Sequence, residues 1–261
     1  MNALWTVKDG WNPRPLAGEV ALVTGSLGGL GRPITSALAA AGAAVAVHHL
    51  NQLEDALAFV SELQLDGARA CAVHGDLTDW EQTQQMYNTI ENNLGPVSTL
   101  VNNAGMMRKE TFAEMTLDEW RATMTVDLDG VFIATRLALP AMLSAGRGNI
   151  INISSQLAFR GAHDYVAYSA AKGGIVGFTR ALAREVGPAI RVNAIAPGPV
   201  ETPMTDAYTT PEWVAERTQG MVMARLGRPE EVAPSVVFLA SSGSEWMHGQ
   251  TLHLNGGGVM A

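Results

Sequence analysis

In the stretch "YSAAKGG", Tyr168 and Lys172 stand four residues apart, with only Ser169, Ala170 and Ala171 between them. The run reads as helix, where residues i and i+4 share a face. An isolated phenol titrates near about 10, so it is a poor acid or base at neutral pH. An ammonium one turn away favours the phenolate and lowers that value. A tyrosine tuned in this way can exchange a proton with an alcohol or carbonyl oxygen while hydride moves to or from the carbon. A chance pair on an exposed helix face has the same spacing. Two features favour chemistry. The intervening side chains are small enough for close approach by a ligand, and "INISS" ends a strand just upstream. Ser155 then lies at the carboxyl edge of a sheet, where α/β sites form. Ser154 is the second candidate, and a plain strand end accounts for either.

The elements that must hold this pair alternate along the chain. Strands are expected at about Val20–Thr24, Ala44–His48, Arg69–His74, Thr99–Asn102, Asn149–Ser154, Ile190–Ile195 and Thr251–Leu254. Helical patterns fall between them, at Gln52–Asp66, Trp80–Asn93, Leu117–Ala145 and Tyr168–Val186. Runs such as "VALVTG" and "NIINIS" are apolar on both faces, as in a parallel sheet covered on both sides. The expected fold is α/β: a single Rossmann-type doubly wound parallel sheet of about seven strands. Residues 1–17 read as a tail and 18–261 as one domain. Within it, the irregular span from about Pro197 to Arg228 reads as a substrate lid, about 198–226.

The first strand runs into "TGSLGGLG", Thr24 to Gly31. Such a turn brings backbone N–H groups to a phosphate at a helix N-terminus. A glycine turn can be purely structural, but its place after strand one favours a dinucleotide. The spacing is TGxxxGxG. With "NNAG" (Asn102–Gly105), Ser155, YxxxK and "PG" (Pro197–Gly198), it resembles the short-chain dehydrogenase/reductases over Leu16 to Gly257. Relatives of this kind include 3-oxoacyl-thioester reductases and sugar or polyol dehydrogenases.

The resemblance implies an NAD(P)-dependent oxidoreductase acting on CH–OH groups, with Ser155 polarising the substrate oxygen and Tyr168 exchanging the proton. It gives Lys172 a second task, bonding the nicotinamide ribose. It assigns cofactor contacts to Gly25, Leu27, Gly29, Leu30 and Gly31, to Asp76 and Leu77, to Asn103, Ala104 and Gly105, and to Pro197, Gly198, Val200 and Thr202. The family often has asparagine in the long fourth helix, relaying protons to the lysine; here "TVDLDGVF" puts Asp127 there. Aspartate keeps an acceptor and loses the amide donor. For Asp76 a helix N-cap is the plainer reading, with Thr78 competing. Tyr165 is a decoy, because the residue four later is Ser169. Substrate contacts are expected from Ser155, Gln156, His163 and Met204, with Phe159 weighed beside them. Met204, Tyr208, Trp213, Met221 and Met223 suggest an apolar lid.

Cofactor choice depends on the end of strand two, where a carboxylate selects NAD over NADP. "VAVHHLNQ" has none at 48–51, nor the basic residues common in NADP users. His48, His49 and Asn51 can hydrogen-bond a phosphate, so NADP is favoured over NAD. Adjacent strand residues face opposite ways, so at most one histidine is expected on the cofactor, and "HH" is a poor metal site. His49 and Asn51 are the choice.

Composition narrows the partners. Net charge is −8, which argues against nucleic acid. An acyl-carrier protein, also acidic, would need a local basic patch; Arg147 stands alone in "SAGRGN", and Ala189 occupies a second place where relatives often carry a base. A small-molecule alcohol, ketone or sugar therefore ranks above an acyl-carrier substrate. Nucleotide-sugar epimerases share YxxxK, but their turn is TGxxGxxG and a sizeable C-terminal domain follows. A non-catalytic cofactor sensor is disfavoured by the intact Ser155, Tyr168 and Lys172. The lone cysteine, Cys71, reads as an inert buried thiol and excludes an intrachain disulfide. A start without an apolar signal region, and no apolar run of the roughly 20 residues a membrane helix needs, give a cytoplasmic expectation. The resemblance adds a homotetramer built on the two long helices and the last strand.

Overall fold

The computed structural model describes residues 14–206 and 209–260. The strands are β1 (Val20–Val23), β2 (Ala44–His49), β3 (Ala70–His74), β4 (Thr99–Asn102), β5 (Gly148–Ile153), β6 (Ile190–Pro197) and β7 (Thr251–Leu254). They form one seven-stranded sheet in the order β3-β2-β1-β4-β5-β6-β7. Every pairing is parallel. All seven sequence expectations correspond to strands, with ends moved by at most two residues.

The sheet is buried because its strands are apolar on alternate faces. Ala21 and Val23 of β1 join Val45 and Val47 of β2 in one core; Val20 and Leu22 join Ala44 and Ala46 in the other. This period of two is set by strand geometry. The first core is closed by helices α1 (Gly31–Ala40) and α2 (Leu53–Leu65), through Leu38 and Phe59. The second is closed by α3 (Trp80–Asn93) through Met86 and Ile90. Asp79, accepting from the Gln82 N–H at 3.0 Å, caps α3. Neither Asp76 nor Thr78 is that cap. Asp76 instead accepts from the Thr78 N–H and hydroxyl, at 2.9 and 2.7 Å, and shapes the turn before the helix.

The span Leu117–Ala145 is helical throughout but not uniformly α. Helix α4 (Leu117–Met124) passes through a π turn at Thr125–Asp129 into α5 (Gly130–Ala145). By length and composition this 29-residue helix is apolar enough to cross a membrane, contrary to the sequence expectation. No unbroken apolar run of about 20 residues occurs here, but residues 128–145 are apolar on average in spite of Asp129 and Arg136. One such helix is weak evidence for a membrane, and its inner face carries Ala134, Ala138 and Met142 into the second core.

Short helix α6 (Leu157–Arg160) follows β5, and α7 (Val166–Val186) starts two residues before Tyr168. The span after β6 is less irregular than expected. It holds α8 (Pro203–Asp206) and α9 (Pro211–Thr218), with Pro at the start of each, where a missing N–H costs nothing. Helix α10 (Pro229–Ala240) then packs on α1. Tyr208 lies outside the described residues, as does most of the expected N-terminal tail. Cys71 is half-buried rather than buried, and the apolar surroundings push its thiol up to about 11. That keeps it protonated and unreactive at neutral pH.

Candidate active site

The strand order reverses between β1 and β4, and a crevice opens there at the carboxyl edge. It is a single cleft of about 560 Å³. The glycine turn, the ends of β2 and β3, the Asn103–Gly105 turn, Ser155, Tyr168, Lys172 and the segment from Pro197 to Thr205 all border it.

The turn after β1 is shaped by steric necessity. Gly25 has φ +65°, and a Cβ there would lie 3.1 Å from the Ala104 Cα. A Cβ on Gly31 would lie 2.0 Å from the Gly25 carbonyl oxygen. Gly31 therefore sets the packing of the turn on α1 and does not itself line the cleft. Asn103 ties the two turns together: its backbone N–H donates to the Thr24 hydroxyl at 2.9 Å, and its amide donates to the Thr24 carbonyl at 2.8 Å. A glycine-rich floor beside a helix N-terminus fits a dinucleotide pyrophosphate. His49 lines the cleft, and its Nδ1 is buried with no hydrogen-bond partner among the described residues.

The two histidines of β2 have different tasks. His48, buried, accepts the Gly25 N–H on Nδ1 at 2.8 Å, and its Nε2 lies 2.8 Å from the Gly75 carbonyl oxygen. One nitrogen accepts, so the other carries the proton and donates. His48 thus braces the glycine turn against the loop after β3. Burial lowers its pKa from 6.5 to about 4, against the opposing pull of the Gly75 carbonyl. The sign follows from linkage: between these values the unfolded chain binds a proton that the native protein refuses. Stability should therefore fall as pH drops from about 6.5 to about 4, by about 3 kcal/mol from this residue. Chemical denaturation of wild type and His48→Gln at pH 7 and pH 4.5 checks this. The variant should lose most of that difference, and an unchanged slope would reject the brace.

At the other end stand Ser155, Tyr168 and Lys172. The Ser154 hydroxyl is occupied in donating to the Lys172 carbonyl at 2.8 Å, which pins α7 to β5. The Ser155 hydroxyl accepts the Leu157 N–H at 3.1 Å and bonds the Tyr168 phenol. The Lys172 Nζ is 5.6 Å from the centre of the Tyr168 ring and donates to the Ile153 carbonyl at 3.3 Å. Behind it, 3.7 Å away, is the Asp127 carboxylate. Asp127 is fully buried, sits in the π turn and accepts the Met106 N–H at 2.7 Å. It lies behind the cleft wall rather than on it. A Cβ on Gly105 would be 3.1 Å from the Lys172 Nζ and 3.2 Å from the Asp127 Oδ1, so a larger residue in this turn would press on the pair.

Burial pushes the Asp127 carboxyl up, against the opposing pull of Lys172 and the Met106 N–H. The Tyr168 phenol is also raised, not lowered as the spacing suggested. Burial is the largest cause and Asp127 adds to it, while Lys172 and Ser155 pull down. The sequence shows the cation but not the desolvation that opposes it.

Of the other expected contacts, Leu27, Gly29, Leu30, Asp76, Leu77, Ala104, Pro197, Gly198, Val200, Thr202, Gln156 and Met204 line the cleft. Asn51 does not; it is exposed beyond the end of β2. His163 is exposed as well, its Nδ1 2.7 Å from the Asp164 carboxylate. Phe159 packs edge-on against the His253 ring, 4.5 Å between centres. Among the lid residues Trp213 reaches the cleft, whereas Met221 is buried beneath it and Met223 pairs with the Gly256 backbone. Tyr165 and Arg217, passed over in the sequence, also line it. The one signal for Arg217 is its i+4 spacing from Trp213.

A family model described as enoyl-(acyl carrier protein) reductase matches residues 25–258. Nodulation protein G of Azospirillum brasilense is 42% identical over 241 residues, spanning 92% of this chain and 97% of that protein. The 3-oxoacyl-(acyl-carrier-protein) reductase FabG of Aquifex aeolicus is 38% identical over 244 residues, 93% of this chain and 98% of that one. Among solved structures, a gluconate 5-dehydrogenase from Burkholderia cenocepacia, in complex with NADP and tartrate, has a TM-score of 0.89. It is 31% identical and covers 94% of this chain and 96% of that chain.

Proposed function

We propose that this chain, which belongs to the short-chain dehydrogenase/reductase family and is an NAD(P)-dependent oxidoreductase acting on CH–OH groups, interconverts a small-molecule alcohol and its ketone, with NADP as the preferred cofactor. The observation that carries the reading is the Ser155–Tyr168–Lys172 cluster, backed by buried Asp127, in the cleft whose far end is the glycine turn. The nicotinamide, when bound, supplies or accepts the hydride.

The residues divide the remaining work. Gly25, Leu27, Gly29 and Leu30 hold the pyrophosphate, with Gly31 keeping the turn tight. Asp76 and Leu77 face the adenine, Asn103, Ala104 and Gly105 the riboses, and Pro197, Gly198, Val200 and Thr202 the carboxamide end. Ser155 orients the substrate oxygen. Tyr168, held protonated by burial, gives its proton to the carbonyl oxygen during reduction. Lys172 holds the ribose and keeps positive charge beside the phenol. Asp127 fixes Lys172. Gln156 and Met204 border the substrate.

NADP is favoured because β2 ends in histidines instead of a carboxylate and because His49 Nδ1 has an unmet hydrogen bond. The Burkholderia relative is described with NADP. A 3-oxoacyl-(acyl-carrier-protein) substrate is the second reading, favoured by the Aquifex relative's name. It is weakened by Arg147, whose charge is engaged by Glu19. Exposed Phe132 and Leu143 on α5 support a homotetramer through the long helices, and the single cysteine supports a cytoplasmic setting.

Titration with NADPH and NADH, followed by initial rates on cyclic ketones, hydroxy ketones and acyl thioesters, tests the reading. NADPH should bind at least about tenfold more tightly, a difference of about 1.4 kcal/mol. Small ketones should outpace thioesters; the reverse order would favour the acyl-carrier reading.

A further inference from the structure

We propose that Arg217 binds a carboxylate of the substrate, so that the enzyme favours hydroxy acids or keto acids over neutral compounds of the same skeleton. This rests on the oxidoreductase reading and adds the charge of its substrate.

Helix α9 presents the guanidinium. The Thr210 hydroxyl accepts the Trp213 N–H at 3.2 Å and starts the helix, and Pro211 follows it. Trp213 and Arg217, at i and i+4, share one face. The guanidinium carbon lies 4.9 Å from the Tyr165 ring centre and 5.6 Å from that of Trp213. Stacking on aromatic faces fixes the guanidinium plane while its N–H edge stays available to a planar acceptor. Tyr165 precedes Tyr168 by one turn at the start of α7, so this cation sits at the proton-exchanging end of the cleft.

The charge balance there is unequal. Asp76 is the one carboxylate among the described lining residues, and it belongs to the turn after β3, where it already accepts from Thr78. The Lys172 ammonium faces Asp127. Arg217 lines the cleft with no carboxylate within ion-pairing distance among the described residues, and its Nε is buried with no hydrogen-bond partner. A partly desolvated cation without a counter-charge is costly. A carboxylate matches the guanidinium fork bidentately and removes that cost.

Two measurements on the full chain test this. The first is turnover of C4 to C6 hydroxy acids and their methyl esters with NADP, by wild type, Arg217→Met and Arg217→Lys. The acid-to-ester ratio of kcat/KM should fall by about 10- to 100-fold in Arg217→Met, chiefly through KM, as for loss of a charge-assisted hydrogen bond. Arg217→Lys should keep part of the ratio, which a purely packing role would not predict. The second is melting without dinucleotide in malonate and in neutral malonamide. Malonate should raise the Tm of wild type more than that of Arg217→Met, and malonamide should not discriminate. Turnover of the panel with the same ratio in wild type and Arg217→Met overturns the proposal and leaves the oxidoreductase reading standing. If nothing is turned over, malonate decides: an Arg217-dependent shift upholds the anion site while the oxidoreductase reading falls, and no such shift removes both.

Discussion

Tyr168→Phe should lower kcat/KM for carbonyl reduction by about 10²- to 10⁴-fold, the range for loss of a positioned general acid. Phenylalanine keeps the ring that faces Lys172 at 5.6 Å and deletes only the hydroxyl that bonds Ser155. The fold and the glycine turn do not depend on that hydroxyl, so NADPH binding, read by its fluorescence, should change little. The split matters because a cofactor-sensing protein would also bind NADPH. Unimpaired turnover by the phenylalanine variant would remove Tyr168 from the mechanism. The phenol is held above its ordinary value, so the wild-type reduction rate should lose activity only at strongly basic pH.

Asp127→Ala carries the largest expected loss of stability. Asp127 and Lys172 are almost wholly buried, 3.7 Å apart, and the carboxylate also accepts the Met106 N–H. Removing one member of a buried pair leaves an uncompensated charge and costs about 3–5 kcal/mol. For a chain of this size the Tm should fall by about 10 °C or more. Asp127→Asn should be far milder, because its amide oxygen can still accept from Met106. It removes a negative charge that raises the Tyr168 pKa. The phenol should then lose its proton at lower pH, and the basic limb of the reduction profile should move down. Differential scanning calorimetry and pH–rate profiles on both variants check these outcomes. Equal stability of wild type and Asp127→Ala would mean that the pair is not the anchor of Lys172.

Much of this was legible because it is local. "VALV" and "TLVN" are short apolar runs, and a sheet covered on both faces leaves such strands nothing else to be. TGxxxGxG marks a tight turn because Gly31 cannot carry a Cβ against the Gly25 carbonyl. YxxxK puts two side chains on one face through helical periodicity alone. Asn51 and His163 were polar residues near the right elements, but their side chains stand in solvent. Polarity and proximity in the chain do not tell which way a loop residue points.

Residue order thus specified the strands, the helix carrying Tyr168 and Lys172, and the glycine floor, since each follows from spacings of two to six residues. Tertiary packing decided the rest. It made His48 a brace between Gly25 and Gly75, 23 and 27 residues from it along the chain, buried Asp127 behind Lys172, and laid Arg217 across Tyr165. It also decided the direction of the Tyr168 shift, because desolvation depends on every chain segment that closes over the phenol. Periodicity records which neighbours share a face, but not which distant segments come to cover it.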